Sequence, residues 1–170
     1  ASGSAKVAAR LSEVPVSPVI LTTEILPILE LFNRVSESDL AGQLTLQDWE
    51  LFDDLHPMEL LNQHWNKKKT KHLSPKVTAI ISRVGSISLW VATTILSHLV
   101  VAQRAKVVTK FILIAEQLKK MNNFNGLMAV ISGLTLSPIS RLSHTFSLVK
   151  GPLLSVSTFP LFISAFLSFF

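Results

Sequence analysis

From Val77 to Ile95, apolar side chains return mostly at steps of three and four: Val77, Ile80, Ile81, Val84, Ile87, Val91 and Ile95. Only a helix gathers positions with that spacing onto one side, and a stripe this wide has to be buried against another element. Ser74-Pro75 stands directly before it. A hydroxyl at the cap and a proline in the first turn make that dipeptide a strong helix start. The pattern therefore predicts one long amphipathic helix and requires a second layer to cover it.

The rest of the chain offers that layer. Val108, Phe111, Ile112, Ala115 and Leu118 predict a second helix, ending at Lys119 and Lys120 where cations suit the helix dipole. Asn122 or Asn123 can cap a third, carrying Phe124, Leu127, Met128, Ile131 and Leu134. Ser137-Pro138 repeats the cap-plus-proline device before Ile139 and Leu142. Upstream, Ser36 to Asp39 supply capping side chains ahead of Leu44, Trp49, Leu51, Phe52 and Leu55. His56-Pro57 breaks that helix, because the residue before a proline is pushed out of helical conformation. Met58, Leu61 and Trp65 predict another short helix, and a lysine loop follows. Residues 1–35 read as irregular, interrupted by Pro15, Pro18 and Pro27, with a helical flavour at Ile25, Leu26, Leu29, Leu31 and Phe32. Strand-like alternation and internal repeats are missing. The fold class expected is all-α.

Composition narrows the function. At 170 residues the chain holds one domain with a real core. It has no cysteine, which removes disulfides, thiolate chemistry and cysteine zinc sites and suits the cytoplasm. The net charge of +5 is concentrated at Lys67, Lys68, Lys69 and Lys71. A run of this kind is more often a solvated loop than a nucleic-acid site, by roughly four to one. Trp65 is the nearest aromatic, and no stacking series alternates with the lysines, so nucleic acid is not expected as a partner. His56, His64 and His72 recur every eight residues, but on one helix that separation is about 12 Å, too far to share an ion. No phosphate-cradling glycine loop or nucleophile motif is present. Neither a metal, a cofactor nor bond-making catalysis is expected. The chain starts at Ala1 without an apolar run behind a basic start, so it reads as a fragment or processed product without a signal peptide.

Gly151 to Phe170 carries no charge. Such a run is just long enough to span a bilayer, with Lys150 at one flank. Pro152 and Pro160 interrupt it, and Ser155, Ser157, Thr158, Ser164 and Ser168 dilute it. Two readings stay open, a membrane contact through 151–170 and a tail with no evolved role, and the breakers weigh toward the second by roughly two to one.

The specific information lies in literal strings. Gln43-Leu44-Thr45-Leu46, Glu50-Leu51-Phe52 and Pro57-Met58-Glu59-Leu60 come first, then Trp65-Asn66-Lys67 and Leu73-Ser74-Pro75. Ser88-Leu89-Trp90-Val91-Ala92-Thr93, Arg104-Ala105-Lys106-Val107-Val108 and Lys110-Phe111-Ile112 continue the order. Leu118 to Leu142 adds Asn122-Asn123-Phe124-Asn125, Ile131-Ser132-Gly133-Leu134, Ser137-Pro138-Ile139 and Arg141-Leu142, and His144-Thr145-Phe146 closes the series. In order and spacing these strings resemble the N-terminal half of the Ras-type guanine-nucleotide exchange domain. The resemblance divides the chain into a flanking segment (1–35), a partial exchange domain (36–150) and an unrelated apolar tail (151–170).

The resemblance implies a Ras-family small GTPase as partner, of the Ras, Rap or Ral type, laid with its switch 2 segment on the helical core. The positions matching that pocket are Trp65, Asn66, Ile81, Ser82, Gly85, Met128, Ser132 and Thr135. Trp65, Ile81 and Met128 would form an apolar anchor, with Asn66, Ser132 and Thr135 as hydrogen-bonding rim. Ser82, Gly85 and Thr135 depart from common family choices, and Gly85 inside a helix costs about 1 kcal/mol relative to alanine. Burial habits alone make Trp65, Ile81 and Met128 core residues by roughly two to one, and Trp90 also reads as core.

Exchange in the family is not bond chemistry: a helical hairpin displaces switch 1 and weakens the hold on nucleotide, a difference in affinity between two states. The resemblance stops near Val149-Lys150, before that hairpin, so the expectation is a docking surface that does not catalyse exchange. The alternative is a membrane-associated or structural fragment governed by its tail.

Overall fold

A computed structural model describes residues 29–149, and among these residues there are helices, 3-10 segments and turns but no strand. Contacts divide the chain at Val35/Ser36. In the first unit, 29–34 is helical and buries Leu29 and Phe32. The expected helical positions Ile25 and Leu26 lie outside the described residues, as does the segment 151–170.

The second unit holds six helices among the described residues: α1 (Glu37–Asp53), α2 (Pro75–Leu96), α3 (Val101–Lys120), α4 (Phe124–Thr135), α5 (Ser137–Ser140) and α6 (Ser143–Ser147). Ser36 caps α1 by accepting the Asp39 N–H at 3.1 Å. Helix α3 is the centre. Val107, Phe111, Ile114 and Leu118 form one buried ridge, and Val108, Ile112 and Ala115 the next, so an arc wide enough for several neighbours is out of water. Helices α1, α2, α4 and α6 all pack on it. Trp90 is half-buried and meets the fully buried Phe111 edge-on, with ring centroids 5.1 Å apart at 86°. That is a favoured geometry for two aromatic quadrupoles.

Helix α2 is long and apolar enough, by length and composition, to cross a membrane. Here it serves as a core helix: Val77, Ile87, Val91 and Ile95 are buried, and α4 is its principal partner. The two helices approach unusually closely. Ser88 Oγ lies 2.8 Å from Val84 O and 2.9 Å from Ala129 O, so one hydroxyl serves a carbonyl on each helix. One turn on, a Cβ at Gly133 would sit 2.7 Å from Ser88 O and 2.7 Å from the Val91 Cβ. Only glycine fits there.

Between α1 and α2 the chain departs from the expected short helix. Pro57–Asn66 is a 3-10 segment interrupted at Leu61, Asn62 and Gln63, the last two at φ 56° and 49°. The start of α2 also differs from expectation in one respect. Ser74 occupies the cap position, but its hydroxyl makes no cap bond and donates instead to Glu59 O at 2.7 Å. The Glu59 carboxylate takes over, accepting the N–H groups of Lys76 at 2.7 Å and Val77 at 3.3 Å. A buried acid thus neutralises the orphan donors and positive end of α2. Lys76 pairs with Asp54, tying the same turn to the end of α1. At the far end, Arg104 in the first turn of α3 donates to Thr145 Oγ1 (3.0 Å) and His98 O (3.2 Å), fixing α6 and the α2–α3 turn.

Two glycines are expected to behave oppositely. Gly133→Ala should lose about 1–3 kcal/mol, because backbone and a branched side chain must give way. Gly85→Ala meets open space within α2 and should gain about 0.4–1 kcal/mol through a less flexible unfolded chain. Urea denaturation of the two variants checks both signs.

Candidate functional site: an apolar groove and the α2–α4 face

Thr45, Asp48, Trp49 and Phe52 fall at steps of three, one and three, on one side of α1. They face an open groove of about 640 Å³, completed by Leu55, Leu60, the first turns of α2 (Val77, Ile80 and Ile81) and the α3–α4 connection from Met121 to Asn125. Its walls are large and exposed: Trp49 is 58% accessible, Phe52 61% and Ile81 53%. The Trp49 and Phe52 rings lie 6.1 Å apart. Volume and apolar lining are those of a cleft able to take an apolar ligand segment.

The groove is held by a polar network beneath it. Asp48 Oδ1 accepts from Arg83 Nε at 2.7 Å, and Oδ2 accepts from Asn123 Nδ2 at 2.8 Å. Arg83 Nη2 donates to Gln47 Oε1 at 2.8 Å. Asn123, itself buried, turns its Oδ1 to the Gly126 N–H at 2.8 Å and so caps α4. Its Nδ2 also lies 3.2 Å from Thr45 Oγ1. Position 126 shares the constraint, since a Cβ there would sit 2.9 Å from Asn123 Nδ2 and 3.2 Å from Asp48 Oδ2.

The connection that delivers Asn123 is a Schellman turn. Asn122 takes φ 57°, the Asn123 N–H bonds Leu118 O at 2.9 Å, and the Asn122 N–H bonds Lys119 O at 3.1 Å. Asparagine tolerates the left-handed conformation such a C-terminus needs. Two adjacent asparagines therefore divide the labour: the first ends α3 and the second starts α4.

Of the eight positions singled out in the sequence, Ile81 lines the groove and the other seven do not. Ser82 and Gly85 share the exposed side of α2 with Ile81. Met128, Ser132 and Thr135, at steps of four and three, align on α4, where Met128 and Ser132 are half-buried and Thr135 is exposed. The Thr135 hydroxyl is engaged with its own helix, 3.0 Å from Ile131 O and 3.2 Å from Ser132 O. Three of these positions thus lie on α2 and three on α4, its principal packing partner. Trp65 and Asn66 stand apart at the end of the 3-10 segment, half-buried and exposed. Ile81 is not core, contrary to its burial habit.

Sequence reasoning missed the groove's α1 wall and the network. Trp49 and Phe52 were legible as one helical side, which normally signals core. Asp48, Arg83 and Asn123 come together across 35 and 75 residues, beyond any local pattern. No group of three or more His, Asp or Glu among the described residues is placed to hold a metal ion.

The network yields a double-mutant test. Asn123→Ala should cost about 1–2 kcal/mol as a lost cap, and Asp48→Ala about 1–3 kcal/mol as two donors lose their acceptor. Denaturation of the double variant should cost less than the sum by at least about 0.5 kcal/mol. Strict additivity would show that the two side chains act independently.

Residues 39–157 match the family model described as the RasGEF domain. Among curated proteins of Dictyostelium discoideum, the chain is 45% identical over 126 residues to Ras guanine nucleotide exchange factor R, covering 74% of this chain and 7% of that protein. It is 47% identical over 111 residues to factor A, covering 65% and 18%. It is 48% identical over 118 residues to factor J, covering 69% and 14%. The chain thus spans less than a fifth of the length of these relatives.

Proposed function

The chain belongs to the RasGEF domain family, and from that premise we propose that its helical domain docks a Ras-family small GTPase, of the Ras, Rap or Ral type, as part of a guanine-nucleotide exchange factor acting in the cytoplasm. The observation carrying this reading is the two-helix platform: Ile81, Ser82 and Gly85 on the exposed side of α2, with Met128, Ser132 and Thr135 in line on α4. An exposed isoleucine beside a half-buried methionine is an apolar anchor of the kind that concentrates binding energy, and the hydroxyls of Ser82, Ser132 and Thr135 give a polar rim. Trp65 and Asn66 extend the surface to the 3-10 segment.

The 170 residues as a unit dock without driving exchange in this reading. Nucleotide release in the family is the work of a helical hairpin that displaces switch 1. Among the described residues, the helices following α4 are the single turns Ser137–Ser140 and Ser143–Ser147. The competing reading, membrane association governed by residues 151–170, rests on sequence alone, and carbonate extraction of expressing membranes tests it: chain that stays in the pellet favours that reading.

Capture on immobilised nucleotide-free Ras, Rap and Ral should retain the chain. Ile81→Asp, a surface change whose fold is checked by circular dichroism, should weaken capture by about 30-fold or more, the scale of an interface anchor. In a separate assay, release of fluorescent GDP from GDP-loaded GTPase should stay at its intrinsic rate when the chain is added. Retention unaffected by Ile81→Asp would remove the platform from the interface, and accelerated release would overturn the docking-only reading.

A further inference from the structure

The excursion between α1 and α2 separates its charges by direction. Across residues 55–73 the only carboxylate is Glu59, and it is buried, spent on the N–H groups of Lys76 and Val77. Lys67, Lys68, Lys69 and Lys71 are all exposed, and none of them forms a salt bridge among the described residues. Of the acids just upstream, at the end of α1, Asp54 is held by Lys76 and Asp53 is exposed. The outward charge of the excursion is therefore wholly positive.

The same short stretch exposes large apolar side chains: Met58 at 62%, Leu60 at 53%, Leu61 at 50% and Leu73 at 49%. Its two 3-10 pieces, Pro57–Asn66 and Lys71–Leu73, pack on each other. Lys67 Nζ donates to Asn62 O at 2.8 Å, which draws the start of the basic run alongside Leu61. The turn that makes this possible holds Asn62 and Gln63 in the left-handed region, at φ 56° and 49°. Two consecutive non-glycine residues rarely adopt it, and such strain collects where a binding surface is being shaped.

Lysines without counter-charges, interleaved with exposed leucine and methionine, match the chemistry of an interface between water and anionic lipid. Ammonium groups meet phosphate and carboxylate headgroups, and the apolar side chains enter the acyl boundary. We propose that Met58–Leu73 is a peripheral membrane-docking surface that binds bilayers carrying anionic lipid. The lysines and exposed leucines that carry it are distinct from the proposed GTPase-docking positions, of which Trp65 and Asn66 lie in the same stretch, and the apolar segment 151–170 takes no part in it.

The test is co-sedimentation of the full chain with phosphatidylcholine vesicles, with and without phosphatidylserine. Binding should require phosphatidylserine and fall as salt rises, since charges at a surface are screened over about 10 Å at 0.1 M. Each lysine near such a surface contributes about a fivefold gain, so joint replacement Lys67→Gln, Lys68→Gln, Lys69→Gln and Lys71→Gln should weaken binding by a few hundredfold, on the order of 10²–10³. Leu61→Ser with Leu73→Ser should weaken it further at constant charge. Equal binding to both vesicle types, unchanged by the lysine substitutions, would assign membrane affinity to 151–170 and overturn the proposal. Absence of phosphatidylserine-dependent binding would also overturn it, and capture on nucleotide-free GTPase that falls with the lysine substitutions would then identify an acidic protein surface as the partner.

Discussion

The close contact between α2 and α4 sets the geometry of everything around it. Gly133 lets the α4 backbone come within reach of Ser88, and the Ser88 hydroxyl then serves carbonyls on both helices. A side chain at 133 would meet Ser88 O and the Val91 Cβ at 2.7 Å, so something in this contact would have to shift. The same helix α4 carries Asn123 at its start, where it bonds Asp48 of α1. The groove and the exposed platform thus inherit their shape from an apposition that neither of them contains.

Polar groups in this fold are spent on joining elements rather than on chemistry. Glu59 caps a helix that begins well after it, Asp48 binds an arginine from α2 and an asparagine from the α3–α4 turn, and Arg104 reaches Thr145. These joining groups are paired, whereas His64 Nδ1, Thr70 Oγ1 and Thr78 Oγ1 are buried without a partner among the described residues. A domain of this construction suits a partner surface. It offers exposed apolar side chains on helices and hydroxyls beside them.

The helices were readable because each rests on local rules. The three- and four-residue steps of Val77 to Ile95, the break at His56-Pro57 and the paired asparagines before Phe124 all act within a turn or two. The failures occurred where a local rule had a distant competitor. Ser74 carries the right hydroxyl for a cap, but Glu59, folded back beside it, offers a charged acceptor, and a charge-assisted bond to the helix N-terminus is the stronger one. Met58 to Trp65 has helical spacing, yet the chain must reverse there to bring Glu59 to α2, and Asn62 and Gln63 leave the helical region to do so.

From composition and spacing alone came an all-helical chain, and from its ordered strings came the family. Those properties follow from periodicity and from short motifs, which are carried in consecutive residues. The exposure of Trp49, Phe52 and Ile81, the partners of Asp48 and the one-sided charge of the lysine excursion came from packing. An apolar helical side looks the same in sequence whether another element covers it or not, and the direction of a carboxylate depends on which distant donors the fold brings within 3 Å. Burial is a property of neighbours, and neighbours are assigned by the whole chain.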